Sequence, residues 1–223
     1  MKNQANNFIQ TASFLFLSCL LCTVTHGQSN DTAVKKEIAL KKMYVQAATG
    51  PSTQNGAVYE FGLQAVLKHN WVATFSYQNI EMDPKGLPSD YEQGYTYILV
   101  LPFPDVYPVT KMNLFSFTGG KCFEMGRKIW FTTEAGFSIV NGDNMTFTPQ
   151  DVTDDGMYIS SNYAVKKENK TTIGAMLKAD FNWAFSSYVG LGVGAFANFS
   201  SIQSPVGIQV KLISGWLRKK RGA

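Results

Sequence analysis

A chain of 223 residues, 45% of them hydrophobic and 16% charged, is long enough for one core, and a formal net charge of +4 is too small for a nucleic-acid-binding surface. Three cysteines and two histidines leave little for a disulfide framework or a metal centre. Apolar runs stop short of the ~20 residues that a transmembrane helix needs, so a membrane-spanning form must be a closed barrel of strands.

The N-terminus reads as a targeting segment. Lys2 precedes an apolar stretch from Phe14 to Val24, too short to cross a bilayer as a helix. Thr25-His26-Gly27 supplies small residues before a cut, which predicts a cleaved signal peptide over 1–27 and a periplasmic segment over 28–40. Cys19 and Cys22 lie inside the signal, and Phe16-Leu17-Ser18-Cys19 matches a lipidation site poorly. Cys122 is then the one cysteine left, so no internal disulfide is expected.

Alternation with a period of two marks eight candidate strands. The first, Lys42 to Gly50, is the weakest. Ala57 to Lys68 carries Tyr59, Phe61, Leu63, Ala65 and Leu67 on one face, against Glu60, Gly62 and Gln64. Trp71 to Met82 follows, with Ala73, Phe75 and Tyr77 against Thr74, Ser76 and Gln78. Lys111 to Glu124 sets Phe115 and Phe117 against Ser116, Thr118 and Gly120. Ile129 to Val140 sets Phe131, Ala135, Phe137 and Ile139 against Thr132, Glu134 and Ser138.

The three remaining segments lie between Thr171 and Leu217 and alternate almost without a slip. Apolar rows run from Ile173 to Phe185, from Val189 to Phe199 and from Val206 to Leu212. Between them stand Lys178, Asp180 and Asn182, then Gly190, Gly192 and Gly194, then Gln209 and Lys211. Greasy residues on one face and charges or glycine on the other predict a β-barrel with apolar residues toward lipid and polar ones toward the lumen. The expected fold is all-β: an eight-stranded antiparallel up-and-down transmembrane β-barrel over 41–217, with a basic periplasmic tail over 218–223.

The connections alternate in length. His69-Asn70, Met125 to Lys128 and Ser186-Ser187 are tight turns, while Asp83 to Thr110 and Asn141 to Lys170 are long. Short periplasmic turns and long outer loops are the expected asymmetry. Trp71, Phe123, Trp183, Phe185 and Trp216 fall near strand ends and are the candidate aromatic girdle. Lys41, Lys42, Lys68, Lys121, Arg127 and Lys128 collect at the periplasmic rim, with Asp83, Asp90, Glu92, Asp105, Asp143, Asp151, Asp154 and Asp155 in the outer loops. A basic rim suits phospholipid phosphates of the inner leaflet. Pro102, Pro104 and Pro108 break long strands in the second outer loop, although the run Tyr95 to Leu101 can extend the barrel or fold over its mouth.

Several stretches carry a resemblance. They are Leu87-Pro88-Ser89-Asp90-Tyr91 with Gly94, Gly120-Lys121 leading to Gly126-Arg127-Lys128-Ile129-Trp130-Phe131 and Glu134-Ala135-Gly136-Phe137-Ser138, and Tyr188-Val189-Gly190-Leu191-Gly192 running to Gly215-Trp216-Leu217-Arg218. The chain resembles the small outer-membrane β-barrel (porin-like) proteins of bacteroidetes. The resemblance implies a place in the cell outer membrane of a Gram-negative envelope and no single activity. It departs from the usual barrel ending, a terminal Phe, because a basic tail follows Trp216.

The candidate site is a lumen polar network of Glu60, Gln64, Glu134, Lys178, Asp180, Gln209 and Lys211. An eight-stranded interior is just wide enough for side chains to fill, and buried charges must pair. The expected pairing neutralises Lys178 and Lys211 with Glu60 and Glu134, and the expected role is a plugged structural or interaction barrel. A narrow porin-like channel for ions or small solutes is the alternative. Gly190, Gly192 and Gly194 are expected to leave room for Phe196 or Trp130. Catalysis lacks a base, since the mature chain keeps only His69, placed in a turn. No cofactor or metal is called for, although Asp151, Asp154 and Asp155 offer carboxylates to a divalent cation. The expected partners are lipopolysaccharide outside, phospholipid at the periplasmic rim and another envelope protein, with no nucleic acid.

Overall fold

The computed structural model describes residues 40–98, 101–105, 107–154 and 158–217. The predicted signal peptide, residues 28–39, Asp155 and the basic tail lie outside the described residues.

The described residues form eleven strands: β1 (Leu40–Ser52), β2 (Gly56–Leu67), β3 (Trp71–Met82), β4 (Tyr95–Ile98), β5 (Leu101–Pro104), β6 (Thr110–Glu124), β7 (Ile129–Pro149), β8 (Tyr158–Ile159), β9 (Tyr163–Ala184), β10 (Val189–Phe199) and β11 (Val206–Trp216). Eight of them close into a barrel in the order β1-β11-β10-β9-β7-β6-β3-β2. Every barrel pair is antiparallel, which is the predicted up-and-down fold. Closure leaves every barrel strand two partners, so no edge faces lipid.

The alternation fixes which face is which. Leu177, Leu191 and Val210 are 48%, 40% and 59% exposed, while Lys178 and Lys211 are 4% and 1% exposed. Phe75, Phe117 and Phe137 run side by side across the outside of β3, β6 and β7, with ring centroids 4.8 and 5.7 Å apart. On β6 the outward row from Phe123 to Asn113 rises about 25 Å at ~3.3 Å per residue and a tilt of ~40°, the height of a barrel's apolar band. At its upper limit, Asn79, Asn113, Asn141 and Thr171 lie in one register across β3, β6, β7 and β9, and end the band with polar groups.

Backbone chemistry explains the short turns. Gln54 and Asn55 join β1 to β2 with φ of 59° and 52°, and His69 and Asn70 do the same between β2 and β3 with 64° and 61°. Two successive left-handed residues match the twist of a hairpin, and asparagine tolerates that region.

Two expectations are corrected. β1 is thirteen residues long, well beyond the weak segment predicted. β7 and β9 continue above the band, paired from Asn141↔Thr171 to Pro149↔Tyr163, where a loop over 141–170 was expected. Both faces of this ribbon are largely exposed, so the apolar alternation that signals a lipid-facing strand is lost while the pairing persists. As expected, no long strand forms around the loop prolines: Pro102 and Pro104 stand in β5, which is four residues long and an edge strand of the small sheet β5-β4-β8, where a missing N–H costs no ladder bond.

Candidate functional site

The lumen is built in three layers. At the turn end, Tyr44, Val66, Val72, Cys122, Trp130, Ala184, Ile213 and Leu217 form one apolar cluster. At the loop end, Val58, Ile80, Met82, Met112, Leu114, Val140, Met176, Phe196 and Ile202 form another. Polar side chains fill the space between. The inward row of β3 shows the design in sequence order: Val72, Thr74, Ser76, Gln78, Ile80. Reading only the polar members of each row missed both apolar layers. Their signal was present, because the inward rows of β2, β6, β7 and β9 also set Val, Met, Leu, Cys, Trp or Ala on both sides of their polar residues.

All seven residues of the expected lumen network are buried in the interior. Lys178 donates from Nζ to Glu60 Oε1 at 2.7 Å and to Ser76 Oγ at 2.7 Å. Glu60 also accepts from Gln46 at 2.7 Å and from Gln78 at 2.5 Å. A carboxylate that loses its water must recover donors in this way. Lys211 pairs with Asp180 at 2.6 Å. This corrects the expected pairing of Lys211 with Glu60 or Glu134: Asp180, on the strand two places away, reaches it across Gly194.

Glu134 belongs to a different chain of bonds. Trp130 Nε1 donates to Tyr44 Oη at 3.2 Å, Tyr44 donates to Gln64, and Gln64 donates to Glu134 Oε1. Thr118 donates to Glu134 Oε2 at 2.6 Å. Gln209 is buried on the inward face of β11, next to Lys211 in that row.

The glycines are placed for charge as well as for bulk. A methyl on Gly194 would stand 2.2 Å from Asp180 Oδ1 and 2.6 Å from Lys211 Cε, so its hydrogen leaves room for that ion pair. Gly192 faces Asn182 and Gly190 faces Ile213. Gly207, on β11, is the glycine that accommodates the Phe196 ring, in place of the three expected on β10.

Ser76 beside Lys178 has the composition of a nucleophile and its base. Lys178, however, is ion-paired with Glu60 at 2.7 Å, which holds it as a partner of that carboxylate rather than as a base for the serine. The apolar layers stand between this pair and either mouth.

At the turn end the five girdle residues Trp71, Phe123, Trp183, Phe185 and Trp216 are all exposed on the outside. Lys121 lies 3.8 Å over the Trp71 ring. Lys41, Lys68, Arg127 and Lys128 are exposed at the same rim. Lys42, expected among them, turns inward and is buried. It sits 4.2 Å over the Trp130 ring and 3.0 Å from Glu124. A cation over an indole face beside a carboxylate caps the apolar layer.

At the loop end a layer of aromatic rings packs beside the extension of β7 and β9. Tyr91 packs against Tyr107, Phe147 and Tyr163 with ring centroids 6.0 to 6.4 Å apart. The Asp90 carboxylate accepts from Tyr163 at 3.1 Å and holds that phenol above its ordinary pKa. Asn162 donates to Asp90 O at 2.6 Å and accepts from the Glu92 amide at 2.8 Å. Asp143 is buried under Lys167 at 2.8 Å. Each ring contact contributes about 0.5–1.5 kcal/mol. Tyr91→Ala is therefore expected to speed limited proteolysis of residues 84–109 about tenfold, with the barrel's thermal unfolding in detergent unchanged. Resistance equal to wild type would show that the rings do not hold the layer.

No family model matches the chain, and no curated protein matches it. Among solved structures it is similar to the N-terminal β-barrel domain of Pseudomonas aeruginosa OprF, at 10% identity and a TM-score of 0.48, covering 79% of this chain and 98% of that one. It is similar to Ail, the attachment invasion locus protein of Yersinia pestis, at 7% identity and TM-score 0.46, covering 79% and 97%. Neisserial surface protein A matches at 10% identity and TM-score 0.46, covering 79% and 96%. At these identities and TM-scores the likenesses add nothing to what the barrel's own geometry carries: an apolar outside, a polar middle layer inside and a closed ring of eight strands.

Proposed function

We propose that this chain is a non-enzymatic integral barrel of the bacterial outer membrane, of the porin-like kind found in bacteroidetes, with a closed lumen. It acts as a structural or interaction barrel through its outer loops or its periplasmic rim. The observation that carries this reading is the pair of apolar layers enclosing a salt-bridged middle. A conducting pore needs a continuous wet path, and side chains of Trp130, Tyr44, Met82, Met112 and Phe196 occupy that path at its two ends.

The surfaces left for partners are the two rims. The outer ribbon of β7 and β9 and the tyrosine-rich layer beside it face away from the membrane and suit another envelope protein. The polar row of Asn79, Asn113, Asn141 and Thr171 lies where lipopolysaccharide headgroups begin. The opposite rim carries Lys41, Lys68, Lys121, Arg127 and Lys128 above an aromatic girdle, which suits phospholipid phosphates.

Single-channel recording of the refolded protein in planar bilayers tests the closed lumen. The expected result is silence, with occasional brief openings at most. Steady ohmic steps would instead establish the narrow channel for ions or small solutes.

A further inference from the structure

The sealed middle of the lumen does not balance its charges. Among the described residues, three carboxyl groups are buried there, Glu60, Asp180 and Glu134, against two ammonium groups, Lys178 and Lys211. Both ammoniums are committed, Lys178 to Glu60 at 2.7 Å and Lys211 to Asp180 at 2.6 Å. Lys42 and Glu124 balance each other at the mouth, on the far side of Trp130. Glu134 is left with neutral donors, the Gln64 amide and the Thr118 hydroxyl. Its cross-strand neighbour on β9 is Lys178, yet that side chain reaches over to β2.

A buried carboxylate with no counter-ion is costly, and a group so placed becomes neutral instead. A proton can do this without adding volume, in an interior that two apolar layers close to hydrated ions. The surroundings of Glu134 can also accept it. Thr74 is paired in register with both Gln64 and Thr118 and points a buried hydroxyl into the same layer. Either threonine oxygen can take a hydrogen bond from a protonated carboxyl, while the other carboxyl oxygen keeps the bond from Gln64.

We propose that the closed lumen contains a one-proton binding site, with Glu134 as the proton's holder. The charged and titratable groups that surround it are Lys178 and Asp180 on β9, Glu60 on β2, Lys211 on β11, Tyr44 on β1 and Cys122 on β6. With the proton in place the charges of the five central groups sum to zero. Because the folded chain holds a proton that the unfolded chain gives up above the ordinary carboxylate range, rising pH weakens the folded barrel until Glu134 ionises.

The inference rests on the closed-lumen reading, and the two fail differently: conductance tests closure, while vibrational spectroscopy tests the proton. The experiment is infrared spectroscopy of the full protein in detergent at neutral pH. The expected result is a protonated-carboxyl band in the wild type that disappears in Glu134→Gln. Absence of the band in the wild type overturns the proposal, and this readout does not depend on the variant folding. A band that survives Glu134→Gln also overturns it, since another carboxyl then holds the proton. Thermal unfolding gives a second readout. Between about pH 5 and about pH 9 the wild type should lose melting temperature relative to Glu134→Gln. A constant difference, or stabilisation of the wild type by sodium over choline, would mean that a metal ion balances the site.

Discussion

Lys178→Met is expected to destabilise the barrel by about 3–5 kcal/mol, because it strands Glu60 in a compartment that water does not reach. Glu60 would keep Gln46 and Gln78 as donors and lose its only ion-pair partner among the described residues. The companion change Glu60→Gln removes the orphaned charge. The double variant Lys178→Met/Glu60→Gln should therefore recover most of the loss, since a buried pair is worth little against neutral groups of similar shape even though half a pair is costly. Urea unfolding in detergent, followed by the gel shift between folded and heated forms, measures all three proteins. A single variant as stable as wild type would mean that Glu60 finds water or a proton, and that the middle layer is open.

The second large effect separates two neighbouring glycines. A methyl on Gly120 would stand 1.8 Å from Thr133 O and 2.8 Å from the Glu134 Cα, both backbone atoms of the adjacent strand. A side chain can swing away from such a clash, whereas a paired backbone cannot move without breaking its ladder. Gly120→Ala is expected to cost about 3 kcal/mol or more, at the upper end of overpacking effects. Gly119 faces outward, and a methyl there meets nothing nearer than Val72 O at 3.7 Å. Gly119→Ala should be neutral or slightly stabilising, because it restricts the unfolded chain. Equal melting temperatures for the two variants would count against the close approach of β6 and β7 at this level.

Much of the barrel was legible because lipid leaves a clear signature. Val189 to Phe199 is predicted and found with the same bounds, as is Trp71 to Met82. The first carries an unbroken row of apolar side chains on the outside and the second an apolar row from Trp71 to Tyr77, which a period of two exposes directly. The outer ribbon was not legible. Asn144 to Thr148 and Ala164 to Lys170 are wet on both faces, so strand and loop look alike in composition. The pairing inside the lumen lay further out of reach. Periodicity places Glu134, Lys178 and Lys211 on the inner face, but which carboxylate meets which ammonium depends on register and shear around the ring. Asp180 wins Lys211 because Gly194 lies between them, a contact that no spacing along one strand reveals.

The seam between β1 and β11 bears on how fast the cylinder can form. Seven of the eight barrel pairings join strands that follow one another directly or across a loop, and each encloses a modest length of chain. The eighth aligns Met43 with Trp216 and so encloses nearly the whole domain. The entropy of ring closure falls chiefly on that single pairing, so the kinetics of assembly are governed by when the first and last hairpins meet.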